Sequence, residues 1–523
     1  MALDIAKRSV KGSLILMVSN LAATLVNAVA VIIVARLLGP SGYGTYKLAL
    51  LIPGLLQLFI GFGALPAVVR YAAYYTSIGR EDEAKRFTAN VIGFLGLTGT
   101  ILTVFSVVFA GALSSLILHR PSLGPYVELA SLTVMGTTVL QTASTSAIGW
   151  NWMTLSGSTT VAQAVANLAL SPAFILLGFG VAGAIVGQLT SLFIAGVAGV
   201  SILYLRKLRG FGNFRSFISD VREMNTYGIP VYAGSVLWSL AAYFVLFLLA
   251  AIATNTVYGY YQAAANFISP ATLVSAAMVS ALFPAFASLD GIKGDVNQAF
   301  RHAYRFVAFM LTPLIMFLIA GATPLVRILY GAAYVGSVPY LQLLAFACLP
   351  IAFGGSVHPA FFNGFGRTKL TFVLYLTGAV TLFVTAPFLA LTCGLGVYGL
   401  IYATFLYYFV AWAVGTILAF KFLHAVLDVR STAIILLVST IALLAVSRLP
   451  AANSSLLSLI LDFVVFFGIY ITLAPLSSAI TGQDLDLLEV TLSEPALVGA
   501  IASPLLRYER LLVGFRAKGR RQS

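Results

Sequence analysis

Lys47 stands about one helical turn inside an apolar stretch, with Tyr46 beside it. A protonated amine in that setting can do one of two things: extend its stem to the nearest polar interface, or hold an anion in a cleft. Its counterpart about 215 positions on is Gln262, also polar, and a position facing acyl chains has little reason to be polar twice, which favours the cleft. Other uncharged polar groups occur in the same apolar segments, among them Asn20, Asn27, Asn266 and Ser269, while Arg36 and Arg327 close two segments on the same side. Amides suit sugar hydroxyls, and a lysine or arginine suits phosphate. Carboxylates are scarce, with Glu128 near a segment end and Asp462 in the last pair of segments. The candidate binding residues are therefore Lys47, Arg36, Asn27, Gln262, Asn266 and Arg327, and the cargo they suit is anionic and rich in hydroxyls. Arg36 and Arg327 fit equally as interfacial anchors.

Other chemistries find no footing. Gly178-Phe179-Gly180-Val181-Ala182-Gly183 has the spacing of a dinucleotide-binding loop, but that loop must follow a strand and open a helix. Here the glycines separate two apolar spans, and the pattern recurs at Gly394, Gly396 and Gly399, so tight outer turns are the reading. No G-x-x-x-x-G-K-[ST] and no H-E-x-x-H occurs, and His119, His302, His358 and His424 are scattered. Cys348 and Cys393 lie at different expected depths, too few for a disulfide framework or a metal site. No cofactor, metal or catalytic group is expected.

The elements that position these residues follow from composition. Of 523 residues 60% are hydrophobic and 9% charged, with a mean hydropathy of +0.99. That much apolar surface cannot be hidden in a water-soluble core. Apolar stretches long enough to cross about 30 Å of hydrocarbon as helices recur throughout. The expectation is an all-α polytopic membrane protein with about 14 spans, near 12–36, 43–69, 88–117, 124–150, 156–178, 183–205, 228–253, 257–288, 306–329, 338–362, 371–392, 397–420, 431–448 and 454–476. An even number leaves both termini on one side. Nearly all of the 30 Lys and Arg then fall on that side, the outer exceptions being Arg36, Arg120, Arg327 and Arg448, so both termini are expected to be cytoplasmic and the protein to lie in the cell membrane. The same dispersal explains a net charge of +14 without a nucleic-acid partner. Lys7, Arg8 and Lys11 before an apolar run could pass for a signal peptide, but the run continues to Val34 and is read as the first span.

The chain also repeats itself. Gly44 returns as Gly259, Pro172 as Pro387, and the glycine triplet at 178, 180 and 183 as that at 394, 396 and 399. Tyr43-Gly44-Thr45-Tyr46-Lys47 stands where Tyr258-Gly259-Tyr260-Tyr261-Gln262 stands. An even period of six spans gives two pseudo-twofold-related six-helix bundles in the same membrane orientation. The expected organisation is a first bundle over 1–210, a cytoplasmic linker over 211–222, a second bundle over 223–425, two additional helices over 426–480, and a cytoplasmic tail over 481–523. No oligomer is required by it.

Ala35-Arg36-Leu37-Leu38-Gly39-Pro40-Ser41-Gly42-Tyr43-Gly44-Thr45-Tyr46 resembles the hallmark joining helices 1 and 2 in the polysaccharide transporter family of the multidrug/oligosaccharidyl-lipid/polysaccharide exporter superfamily, which includes Wzx-type flippases. The duplicated bundles and the twelve-plus-two helix count extend the resemblance over nearly the whole chain. It implies an alternating-access exporter of lipid-linked oligosaccharide or polysaccharide precursors, in which cavity cations meet the pyrophosphate of an isoprenoid carrier. Lys47 and Arg36 are the positions here that match. Members of the family often carry several such cations, and the first bundle here offers few. A multidrug or cation antiporter of the same fold would instead need a buried carboxylate. A polytopic glycosyltransferase would need acidic or histidine groups on a long loop, which the short outer connections do not offer.

Overall fold

The computed structural model describes residues 2–209, 216–288, 296–449, 456–477, 479–480, 504 and 508–512. Part of the expected linker and most of the expected tail lie outside the described residues. Within them every regular element is helical, as a lipid environment requires of a chain that does not close into a barrel, because only a helix satisfies its own backbone hydrogen bonds in one segment.

The chain divides by its contacts into two units, Met1–Gln262 and Ala263–Ser523. The first holds α1 (Ala2–Ala49), α2 (Leu51–Gln57), α3 (Ala64–Ser77), α4 (Glu81–Val108), α5 (Ala110–Leu116), α6 (Gly124–Gly149), α7 (Met153–Phe174), α8 (Gly180–Leu203) and α9 (Phe217–Ile252), and ends eight residues into α10 (Asn255–Ala287). The second holds the rest of α10, α11 (Val296–Ala320), α12 (Ala322–Leu329), α13 (Val338–Ala347), α14 (Val357–Gly364), α15 (Thr368–Pro387), α16 (Gly396–Leu423), α17 (Val429–Ser447) and α18 (Leu456–Leu476). The division falls later than the linker over 211–222, where the repeat places it. The cause is α9, which packs on α3 and α4 of the first repeat, with Gly63 and Gly228 so close that a Cβ on Gly228 would stand 2.1 Å from the Gly63 carbonyl oxygen.

Ten helical runs among the described residues are long and apolar enough to cross a membrane. Two of them, Gly12–Ser77 with 66 residues and Met153–Leu208 with 56, each contain two of the expected spans, and α6 and α9 supply the remaining two. The expected spans 12–36 and 43–69 meet without a loop. α1 runs through the first and into the second, turning at Gly39, whose φ of 67° and ψ of 174° suit glycine alone, with Pro40 opening the helix that follows.

Helix packing in the first unit uses small residues where backbones meet. A Cβ on Gly99 would stand 2.8 Å from Thr138, one on Gly196 the same distance from the backbone of Leu140, and one on Gly187 2.4 Å from the backbone of Ser171. Threonine hydroxyls are returned to the preceding turn, as in Thr138 to Val134 and Thr142 to Thr138, so they are satisfied without water. The glycine triplets divide their labour. Gly178 and Gly180 make the turn with φ of 96° and 52°, whereas Gly183 lies inside α8 pressed against the Phe174 carbonyl, and Gly394, Gly396 and Gly399 repeat this arrangement.

In the second unit, His358 is fully buried on α14 and bonds through Nε2 to the Tyr304 hydroxyl at 2.7 Å, with Phe300, Phe361 and Phe362 around it. It is a core histidine with its polar atoms engaged. The additional helices are fixed at their start by Asp428, which caps α17 through the Ser431 amide and pairs with Arg305 of α11.

Candidate functional site

The segment after the Gly39 turn carries the sequence's leading candidate. Tyr43 is fully buried and Tyr46 nearly so, and the Lys47 ammonium lies 5.5 Å from the first ring centre and 5.8 Å from the second, over the negative faces of both. Lys47 is half-buried, and among the described residues it has no ion-pair partner. A cation held by two rings and by no carboxylate keeps its charge available for an incoming anion.

The Tyr46 hydroxyl donates to Gln188 Oε1 on α8, which opens a run of polar contacts along α1, α7 and α8. Ser191 Oγ donates to the Gln188 carbonyl at 2.7 Å, and Gln163 Nε2 donates to Ser191 Oγ at 3.2 Å. One turn further along α7, Asn167 Nδ2 donates to Asn27 Oδ1 at 3.4 Å, and Asn167 Oδ1 accepts from Ser171 Oγ at 2.7 Å. These groups are half-buried or buried inside helices that are otherwise apolar, so they form a polar seam in the first unit. Of the six sequence candidates, Asn27 lies on this seam and Lys47 beside its Tyr46 end.

The others fall elsewhere. Gln262, half-buried, donates to the Tyr258 hydroxyl at 3.2 Å. Asn266 belongs to the second unit and donates to the Tyr330 hydroxyl at 3.0 Å. Arg327 is exposed in the last turn of α12, and Arg36 is exposed on α1 three residues before the Gly39 turn. Gln163, Asn167 and Gln188 were absent from the sequence candidates, yet the signal existed: Gln163, Asn167 and Ser171 recur every fourth residue, and Gln188 and Ser191 are three apart, so each set shares a helix face.

The seam is confined to one copy of the repeat. The counterparts of Gln163, Asn167, Ser171 and Asn27 are Gly378, Leu382, Ala386 and Ala242, and those of Gln188 and Ser191 are Thr404 and Tyr407. Where Gln163 bonds Ser191, a Cβ on Gly378 would stand 2.8 Å from the Tyr407 ring. The same helix crossing is joined by polar side chains in one copy and packed ring on glycine in the other.

A second cluster lies at the connection between α5 and α6. Arg120, between α5 and α6, donates to the Ala250 carbonyl at 3.1 Å and also to the Ala253 carbonyl and to Asn255 Oδ1. It thus places a cation on the C-terminus of α9, where the free carbonyls gather. Asn255 Nδ2 in turn donates to Thr45 Oγ1 at 2.9 Å. The carboxylates stand apart from both clusters: Glu128 is exposed among Val107, Tyr126, Leu132 and Ala182, and Asp462 is on α18, whose neighbours are α11, α12 and α17. Among the described residues no cluster of His, Cys, Asp or Glu could hold a metal.

Two helical units, built on a repeated chain, with polar groups buried in otherwise apolar helices, define a polytopic membrane carrier fold. The model of the polysaccharide biosynthesis protein family matches residues 9–290, more than half of the chain, which therefore belongs to that family. Among curated relatives, an uncharacterized membrane protein of Methanocaldococcus jannaschii is 24% identical over 442 residues, covering 80% of this chain and 85% of that one. Among solved structures, the lipid II flippase MurJ in an inward closed conformation gives a TM-score of 0.70 at 14% identity, covering 88% of this chain and 97% of that one. An inward-facing multidrug resistance MATE family transporter of the MOP superfamily gives 0.62 at 19%, covering 82% and 96%. A superfamily transporter from Pyrococcus furiosus, described as having a binding pocket of reverse polarity that suggests a different function, gives 0.54 at 18%, covering 84% and 96%. At these identities the likeness defines the fold.

Proposed function

We propose that this protein is a flippase that carries lipid-linked oligosaccharide or polysaccharide precursors from the cytoplasmic to the outer leaflet by alternating access. Lys47, Asn27 and the amides of the seam would meet the polar head, with Gln262, Asn266, Arg36 and Arg327 as further contacts. The observation that carries the reading is the pairing of Lys47, held between two tyrosine rings with no carboxylate partner among the described residues, with the amide seam that begins at Tyr46.

Phosphate and sugar are costly to move through about 30 Å of hydrocarbon without partners, because an unpaired buried charge or hydroxyl loses its water and gains nothing. A cation with amides supplies partners of the right kind. The MurJ likeness supports a lipid-linked cargo, and the reverse-polarity description of the Pyrococcus furiosus transporter supports the view that this fold is not restricted to cationic drugs. The charge distribution of the loops supports cytoplasmic termini and a place in the cell membrane.

The test is the sidedness of lipid-linked oligosaccharide in a deletion strain. The expected result is accumulation on the cytoplasmic face, reversed by the wild-type gene and not by Lys47→Ala. Normal sidedness, together with hypersensitivity to cationic drugs, would overturn the proposal in favour of an antiporter.

A further inference from the structure

A groove of about 460 Å³ opens between α3 and the first turns of α9, lined by Arg70 and Tyr71 on one side and by Ser219, Arg222, Glu223, Thr226 and Tyr227 on the other. All of these residues lie in the first unit. We propose that this groove binds the phosphate headgroup of an inner-leaflet lipid, at a site separate from the polar seam and independent of the cargo.

The charges at the groove are not spent on one another. Asp220, next to it, is buried and already engaged, with Asn90 Nδ2 at 2.6 Å and Arg86 Nε at 3.4 Å. Glu223, also in the lining, forms no ion pair with Arg70 or Arg222. Arg70 and Arg222 form no ion pair with any described residue, although both are exposed at the groove mouth. Arg70 is also ordered: its guanidinium carbon lies 4.3 Å from the Tyr227 ring centre and 5.4 Å from that of Tyr71. Stacking fixes the plane of the fork while leaving its N–H edge free, the state in which arginine takes phosphate oxygens two at a time. The hydroxyls of Ser219 and Thr226 donate to the backbone carbonyls of Ser216 and Arg222, so the donors on offer are the two guanidinium groups.

The ligand should be a lipid rather than a free anion because of what surrounds the groove. Ile218 is 84% exposed on α9, and Tyr74 and Ile78 at the end of α3 are 54% and 47% exposed. Apolar side chains beside the stacked Arg70 and the exposed Arg222 match a phosphate at the headgroup level with its acyl chains alongside. Arg70 and Arg222, with Arg80, Lys85 and Arg86, belong to the segments whose basic residues assign this end of the helices to the cytoplasmic side.

The experiment titrates the purified full chain in neutral detergent with fluorescently labelled phosphatidylglycerol, and with labelled phosphatidylcholine as the reference for general lipid affinity. Arg70→Ala combined with Arg222→Ala is expected to weaken phosphatidylglycerol binding by about tenfold or more and to leave phosphatidylcholine unchanged. Arg367→Ala with Lys369→Ala, an inner basic pair of the second unit, is expected to bind as wild type. Should the double variant not fold, Arg222→Ala alone decides, since its side chain is exposed. Unchanged binding in the Arg70 and Arg222 variants, or an equal loss in the Arg367 and Lys369 pair, would overturn the proposal. Displacement of the lipid by millimolar inorganic pyrophosphate would overturn the lipid assignment in favour of a soluble anion. The readout is equilibrium binding, so it stands or falls apart from flipping.

Discussion

Gly44 and Gly259 meet backbone to backbone, and the contact maps onto itself when the numbering is shifted by one repeat. A Cβ on Gly44 would stand 1.8 Å from the Asn255 carbonyl oxygen, and one on Gly259 would stand 2.1 Å from that of Pro40, the residue that corresponds to Asn255. Tyr43 and its counterpart Tyr258 are both fully buried, and Tyr46 and Tyr261 are equally so at 6% exposure. The obstacle at either glycine is main chain, which cannot swing aside as a side chain could.

Gly44→Ala and Gly259→Ala should therefore each lower stability by at least about 1–3 kcal/mol, the usual cost of overpacking. Because they press on one shared contact, the double variant should lose less than the sum of the two. Thermal unfolding of the purified singles and double in one detergent measures both; additive losses would show that the glycines act separately.

Lys47→Ala should abolish transport of a phosphorylated cargo or slow it by about ten- to a hundredfold, the worth of one hydrogen bond to a charged group, while thermal stability stays close to wild type. Lys47→Arg should retain most of the activity, since a cation over Tyr43 and Tyr46 is kept. Vesicle-based flipping assays read the difference.

Asn167→Leu removes the partner of both Asn27 and Ser171 and makes the crossing resemble that of the second copy, where Leu382 stands. The expected result is a protein at least as stable as wild type in detergent with reduced transport. A loss of stability with transport unchanged would assign the seam to packing alone.

Arg120→Ala should loosen the turn between α9 and α10 by about 2 kcal/mol, since three acceptors on Ala250, Ala253 and Asn255 lose a charged donor at once. Hydrogen exchange over 249–258 should speed up relative to α6 in the same sample.

At the start of α17, burial raises the Asp428 carboxyl, but the hydrogen bonds from Arg305 and Ser431 outweigh it, and the net effect holds the group below the usual carboxylate range. A carboxyl lowered in the folded state stabilises above its unfolded value of about 3.9, and that contribution is lost as pH falls through the folded value. Anchoring of α17 should therefore be constant from neutral pH down to about 5 and weaken below about 4. Limited proteolysis across that range checks it, and Asp428→Asn should be weaker throughout and nearly insensitive to pH.

The sequence reported what lipid and water see. Spans, the repeat and the turns at Gly178 and Gly394 were legible because hydropathy and glycine spacing report them directly. Contacts between helices were not. Gly39 was read as part of a connection between two spans, whereas one residue in a glycine-only conformation turns a continuous helix. Arg120 counted only as an outer cation, because nothing in its neighbourhood along the chain reveals the α9 carbonyls it caps. Gln163, Asn167 and Gln188 escaped notice because neutral amides scarcely disturb hydropathy, although their spacing put each on a shared face.

The unequal treatment of one helix crossing, amide against hydroxyl in the first copy and glycine against tyrosine in the second, means that duplication has left the halves with separate trades. A chimera assembled from two second halves should insert, fold and resist heat, yet leave its passenger stranded on the side where it was made.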